Sequence, residues 1–241
     1  MEVEERIIIA LDYQTQTEVE KFLSVFDLSQ KDTLYKRPKM VKVGMELYYS
    51  EGPKILEYLK SLGLKIFLDL KVHDIPNTAY GAIKSLSKYG VDILNVHAAG
   101  GIEMMKRAKE ACSGNTKLIA VTQLTSLDDS MINVELGISG DSESNVIRLA
   151  RNAKAAGLDG VVSSPLEAAK IKENTSSNFL TVCPGVRLVD GAVGDQKRVA
   201  TPDYALNNGC DYIVMGRAII SSSDPAKTFQ EVCELVHAAS A

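Results

Sequence analysis

Eight short apolar runs punctuate the chain, at Arg6–Asp12, Met40–Met45, Lys65–Lys71, Ile93–Ala98, Lys117–Leu124, Gly160–Ser164, Phe179–Gly185 and Tyr212–Arg217. They are rich in Ile, Val, Leu and Phe, and several are apolar on both faces. That is the pattern of parallel strands covered on both sides. Between the runs, apolar residues return at helical spacing. Pro53–Leu62 carries Ile55, Leu56, Leu59 and Leu62; Pro76–Tyr89 carries Ala79, Ile83, Leu86 and Tyr89; Glu143–Ala156 carries Val146, Leu149, Ala153 and Ala156. Pro76 suits a helix start, where its missing N–H does no harm.

The stops repeat as well. Leu62-Gly63-Leu64, Tyr89-Gly90-Val91-Asp92, Ala156-Gly157-Leu158-Asp159 and Asn208-Gly209-Cys210-Asp211 each sit between a helix and the next strand. Glycine adopts the left-handed helix cap without a Cβ clash. This punctuation predicts a βα unit used repeatedly, and eight such units predict a single-domain (β/α)8 barrel over 1–241. A doubly wound open sheet is the alternative. Its dinucleotide fingerprint is absent after the first strand, where Ala10-Leu11-Asp12-Tyr13-Gln14 has no glycine.

Composition narrows the function. With 241 residues, 45% hydrophobic and 24% charged, the chain can bury a sizeable core. A net charge of −4 argues against nucleic acid or an acidic membrane as partner. Cys112, Cys183, Cys210 and Cys233 form no Cys-x-x-Cys pair, and only His73, His97 and His237 accompany them. Neither a zinc site nor a disulfide framework is expected, and scattered thiols fit a cytoplasmic protein. The opening MEVEER lacks the basic head and apolar run of a signal peptide, and no run reaches membrane-spanning length.

In such a barrel the chemistry belongs at the C-terminal strand ends. There the runs place Asp12, Lys42, Asp69 with Lys71, His97, Thr125 with Ser126, Arg187, and Gly216 with Arg217. Each has a plainer reading alone: Asp12 a helix cap, Lys42 a solvent-seeking chain, Asp69 and Lys71 a structural ion pair, Asp74 a helix-start residue, His97 a hydrogen-bonded structural histidine. Asp69 and Lys71, two apart, share one strand face. Unpaired charge at a barrel mouth is costly, so the convergence points to chemistry. A phosphate site is suggested where loops follow the seventh and eighth strands. There Gly185, Arg187, Gly191, Gly194, Gln196, Arg198, Gly216 and Arg217 combine glycines for close backbone approach with arginines for anion binding, beside a helix start. The glycine-rich Arg187–Arg198 segment also reads as a mobile lid, its plainer reading being a surface loop with incidental arginines.

Asp69-Leu-Lys71-Val-His-Asp74-Ile-Pro-Asn-Thr78 resembles the Asp-x-Lys-x-x-Asp motif and Ile-Pro-Asn-Thr continuation of the orotidine 5′-monophosphate decarboxylase family. Ala10-Leu-Asp12, Val41-Lys42-Val-Gly44, Asn95-Val-His97, Leu124-Thr125-Ser126, Pro184-Gly-Val-Arg187, Asp195-Gln196 and Gly216-Arg217 extend the resemblance essentially end to end. It implies conversion of orotidine 5′-monophosphate to uridine 5′-monophosphate with neither metal nor cofactor. Lys71 would protonate C6, and Asp69 would lie beside the substrate carboxylate. Lys42 would bridge Asp69 and a ribose hydroxyl, and Asp12 would hold the ribose. Thr125 and Ser126 would contact ribose or pyrimidine, Pro184 would contact the substrate, and Arg187, Gln196, Gly216 and Arg217 would grip the phosphate. Asp74 and Thr78 would enter the partner's site in an obligatory homodimer. The polar stretch Asp27–Lys39 departs by being several residues longer than the family's, and is expected on the surface at the N-terminal side of the second strand. Two other functions fit the residues: a Mg²⁺-dependent sugar-phosphate decarboxylase or aldolase, with Asp69 as a ligand, and a non-catalytic nucleotide-binding barrel.

Overall fold

In the computed structural model, which describes residues 2–26, 28, 35, 37–188 and 200–240, the apolar runs become one closed parallel barrel with strands in sequence order. The strands are β1 (Ile7–Ala10), β2 (Met40–Gly44), β3 (Lys65–Val72), β4 (Ile93–His97), β5 (Lys117–Val121), β6 (Gly160–Val162), β7 (Leu180–Cys183) and β8 (Tyr212–Met215). Pairing of Ile7 with Ile213, Ile8 with Val214 and Ile9 with Met215 closes β1 on β8. The helices are α1 (Gln16–Leu23), α2 (Met45–Glu51), α3 (Lys54–Ser61), α4 (Pro76–Ser87), α5 (Gly101–Ala111), α6 (Ser142–Ala155), α7 (Ala168–Asn174), α8 (Pro202–Asn207), α9 (Arg217–Ile220) and α10 (Pro225–Ser240). None is long and apolar enough to cross a membrane among the described residues.

The strands are apolar on both faces because they serve two cores. Ile8, Ala10, Met40, Phe67, Ile93, Ile119, Val182 and Val214 pack together in one buried cluster. Their neighbours Ile7, Ile9, Val41, Ile66, Leu68, Leu94, Leu118, Ala120 and Ile213 pack with the helices, against residues such as Ile55, Leu59, Ile83, Val146 and Leu149. Strand alternation thus sorts each strand between the barrel interior and the helical shell.

The glycine stops recur with a second function beside them. Gly63, Gly90, Gly157 and Gly209 all have positive φ, between 61° and 91°. After three of them an aspartate folds back onto the start of the preceding strand. Asp92 Oδ2 accepts from the Ile66 N–H at 2.9 Å, and Asp159 Oδ2 from the Leu118 N–H at 2.8 Å. Asp211 Oδ2 accepts from the Thr181 N–H at 2.8 Å. These clamps lie at the N-terminal end of the barrel, opposite the strand ends that carry the polar residues.

Of the Asp27–Lys39 stretch, Leu28, Tyr35, Arg37, Pro38 and Lys39 are described. They lie at the N-terminal side of β2 as expected, but Arg37 is buried rather than exposed. Its Nη1 donates to the Leu28 carbonyl at 2.8 Å, and the Tyr35 N–H donates to Glu4 Oε1 at 2.8 Å.

Candidate active site

The site is the next layer of the barrel's own alternation. Two residues beyond the interior positions Ala10, Met40, Phe67, Ile93, Val182 and Val214 come Asp12, Lys42, Asp69, Asn95, Pro184 and Gly216. An apolar floor therefore carries a polar layer. Above it opens a cavity of about 320 Å³, lined by Asp12, Lys42, Asp69, Lys71, Gln123, Thr125, Ser126, Pro184, Arg187, Gly216 and Arg217 among others. Its size suits a small ligand.

Four charges alternate along one side. Lys42 Nζ lies 3.2 Å from Asp12 Oδ1 and 3.6 Å from Asp69 Oδ2. Lys71 Nζ lies 2.7 Å from Asp69 Oδ1. Asp69 is buried and Asp12 is half-exposed. Burial alone would raise the Asp69 pKa. The charges of Lys42 and Lys71, with hydrogen bonds from Lys71 and Asn95, outweigh burial and hold the carboxyl below the ordinary carboxylate range.

The strand that presents Asp69 and Lys71 is not regular. Its pairing with β4 shifts between Leu68 and Val72, and Lys71 has φ of 51°. A left-handed lysine costs about 1–3 kcal/mol and persists only where its surroundings compensate. Simple two-residue spacing led to the expectation that the two side chains share a side. They do both reach the cavity, but through a bulge.

At the far side, the backbone leaves β7 through Pro184, Gly185 and Val186. Val186 bridges Ala200, with the Arg187 N–H donating to the Ala200 carbonyl at 2.9 Å. Gly216 lets β8 approach β1: a Cβ there would lie 2.9 Å from Asp12 Oδ2. The helix starting at Arg217 has only four residues, and Arg187 and Arg217 bring two positive charges to this end of the cavity. Gln196 and the neighbouring Gly191, Gly194 and Arg198 lie outside the described residues.

Asp74 and Thr78 do not line this cavity. Both are exposed near the start of α4, where Asp74 Oδ1 accepts from the Ile75 N–H at 2.7 Å. Ile75 is 68% exposed. A separate groove, lined by Met45, Tyr49, Leu70, Val72, His73 and Leu86, also has Lys71 in its wall. His97 caps the turn after β4, with Nδ1 accepting from the Ala99 N–H at 3.4 Å, and its ring stacks on His73 at 5.4 Å. Among the described residues no group of three or more His, Cys, Asp or Glu is placed to hold a metal ion.

Two polar residues of the site were not singled out for it from the sequence. Asn95 and Gln123 are both buried. Asn95 Nδ2 donates to Asp69 Oδ1 at 2.7 Å, and Gln123 lines the cavity beyond β5. The signal was their place, two residues beyond the interior positions Ile93 and Val121.

The comparisons agree with this geometry. A family model described as "Orotidine 5'-phosphate decarboxylase / HUMPS family" matches residues 5–232. An orotidine 5'-phosphate decarboxylase of Streptococcus suis (strain 05ZYH33) is 51% identical over 231 residues, covering 96% of this chain and 97% of that one. One from Streptococcus thermophilus (strain CNRZ 1066) is 48% identical, covering 95% and 96%. The crystal structure of orotidine 5'-phosphate decarboxylase from Lactobacillus acidophilus superposes with a TM-score of 0.83 at 38% identity, covering 96% and 99%. The chain therefore belongs to the orotidine 5′-phosphate decarboxylase / HUMPS family.

Proposed function

We propose that this chain decarboxylates orotidine 5′-monophosphate to uridine 5′-monophosphate without metal or organic cofactor, using Lys71 as the proton donor. The observation that carries the reading is the alternating series Asp12, Lys42, Asp69 and Lys71 along a cavity that also presents Arg187 and Arg217. Breaking the bond from C6 to the carboxylate releases carbon dioxide and leaves an electron pair in the ring plane. No ring carbonyl absorbs that pair directly. A fixed ammonium both stabilises the developing charge and supplies the proton that replaces the lost group. Asp69 keeps Lys71 in place before substrate arrives and lies on the side where the substrate carboxylate is expected. Lys42 and Asp12 hold the ribose, Thr125 and Ser126 contact ribose or pyrimidine, Pro184 contacts the substrate, and Arg187, Gly216 and Arg217 with Gln196 take the phosphate. Phosphate lies far from the reacting carbon, so its binding energy can be used to assemble the closed site.

The same reading makes the enzyme a homodimer. Asp74 and Thr78 stand outside their own cavity, Ile75 beside them is an exposed apolar side chain, and the groove lined by Met45, Tyr49 and Leu86 includes Lys71 in its wall. A second copy reaching along that groove would place its Asp74 against Lys71. Four unpaired cysteines, three of them buried, support a reducing, cytoplasmic setting.

Incubation with orotidine 5′-monophosphate and EDTA, followed by the ultraviolet loss that accompanies decarboxylation, tests the reading. Undiminished turnover is expected. Activity that disappears with EDTA and returns with Mg²⁺ would instead favour metal-dependent sugar-phosphate chemistry. Binding of uridine 5′-monophosphate with no turnover would favour a nucleotide-binding barrel.

A further inference from the structure

Between the pairs Leu68–Leu94 and Val72–Val96, β3 passes through three residues, Asp69, Leu70 and Lys71, where β4 passes through one, Asn95. Asn95 is thus the single residue opposite the bulge, and it is only 1% exposed. Both ends of its carboxamide are used there. Nδ2 donates to Asp69 Oδ1 at 2.7 Å, the same oxygen that receives the Lys71 ammonium. Oδ1 accepts from the Lys71 backbone N–H at 2.8 Å. That N–H would otherwise lack a ladder partner, because the bulge removes it from register.

We infer that Asn95 is the positioning residue of the reaction: it holds Lys71 in its left-handed backbone conformation and fixes the Asp69 carboxylate against which the ammonium is aimed. Each bond addresses one half of the ion pair. The carbonyl of the amide satisfies the distorted backbone, and the amino group orients the carboxylate. A hydrophobic residue of similar size would fill the space but leave Lys71 N–H unpartnered inside the barrel, where the strand would return toward regular pairing. Serine is too short to serve both groups, and aspartate keeps the acceptor but loses the donor. This role is a deepening of the decarboxylase reading, and its kinetic half rests on that reading.

The test uses the full chain with Asn95→Ala and Asn95→Asp, assayed beside wild type. Displacement of a reacting group by about 1 Å is enough to cost roughly 10²-fold in rate. For Asn95→Ala the expected loss in kcat is of that size, with KM and uridine 5′-monophosphate affinity within about threefold of wild type. In Asn95→Asp a second carboxylate faces Asp69, and like charges disfavour double ionisation. The acidic limb of its kcat–pH profile is therefore expected to move to higher pH. A merely structural asparagine would lower activity only in proportion to unfolded protein and would leave that limb in place. The crystal structure of Asn95→Ala gives an answer independent of turnover. Lys71 is expected to leave its φ of 51°, with its ammonium drawn away from Asp69. Retention of that conformation together with a kcat within about threefold of wild type overturns the inference. If wild type itself does not act on orotidine 5′-monophosphate, the functional reading fails, and the Asn95→Ala structure alone decides whether Asn95 holds the bulge.

Discussion

The Lys71 ammonium lies 2.7 Å from the Asp69 carboxylate, although the backbone that joins them is bulged and Lys71 itself has φ of 51°. A regular strand would carry both side chains without strain. The departure spends backbone energy on the placement of one nitrogen, which is expected where position rather than stability is under demand. The pair also joins the charge series to Lys42, 3.6 Å from the other oxygen of Asp69.

Lys71→Ala should remove turnover while leaving nucleotide binding. General acid groups typically contribute about 10²–10⁴-fold, and this one also stabilises charge, so the loss should reach at least the upper part of that range. Spectrophotometric turnover and calorimetric binding of uridine 5′-monophosphate measure the two effects separately. Near-wild-type turnover would remove Lys71 from the reaction.

Arg217→Ala should act selectively on phosphorylated substrate. A charge-assisted hydrogen bond contributes about 1.5–3 kcal/mol, so kcat/KM for orotidine 5′-monophosphate should fall by roughly 10- to 10²-fold. Turnover of the bare nucleoside should hardly change. An equal loss with both would contradict a phosphate-gripping role.

Gly216→Ala tests the close approach of β8 to β1. The new methyl would lie 2.9 Å from Asp12 Oδ2. Asp12 must move, and with it the contact to Lys42. KM for the nucleotide should rise by about tenfold, with a melting temperature close to wild type. Unchanged KM would show that Asp12 does not hold substrate.

Subunit mixing tests the dimer. Lys71→Ala and Asp74→Ala chains should each be inactive alone. After mixing and re-equilibration, half the dimers are mixed and each of these has one intact site, so about a quarter of wild-type activity should return. Absence of recovery, with mixed dimers demonstrated by mass spectrometry, would place Asp74 outside the partner's site.

Acid should destabilise the fold in two windows. His97 titrates below its ordinary value, through burial first and then through His73 and Lys71. The unfolded chain takes up that proton more readily, so this stabilisation is present above about pH 6.5 and is lost as pH falls through that value toward the native pKa. Asp69 also titrates below its unfolded value, despite burial, because of Lys42, Lys71 and their hydrogen-bonding neighbours. Its contribution is present above about pH 4 and is lost as pH falls further. Urea midpoints from pH 8 to pH 3 should show the upper decline flattened in His97→Gln and the lower one in Asp69→Asn. Parallel curves for all three proteins would show that neither group is linked to folding.

The barrel was legible because its strands must be apolar on both faces and its helices must stop, which put Ile7 to Ala10 and Gly63, Gly90, Gly157 and Gly209 in plain view. Much of the cavity was legible for the same reason: Asp12, Lys42 and Asp69 interrupt apolar runs where a strand ends. Asn95 carries no such signal, because an amide within an apolar strand reads as a tolerated exception until its partners are seen. The Lys71 bulge was hidden because pairing register is a property of two strands, and Asp69-Leu70-Lys71 alternates as a regular strand would. Gln196 lies outside the described residues, so its place at the phosphate end stays an expectation of the sequence.

The three aspartate clamps at the base of the barrel divide the chain in a way the active site does not. Asp92 ties the approach to β4 back to β3, Asp159 ties β6 to β5, and Asp211 ties β8 to β7. They close stretches of 26, 41 and 30 residues. Among the described residues, no aspartate carboxylate clamps a strand-start N–H in this way between β4 and β5 or between β6 and β7. Opening the chain after β4 or after β6, outside the tethered stretches, should therefore be tolerated better in circular permutation or fragment exchange than opening it inside 66–92, 118–159 or 181–211.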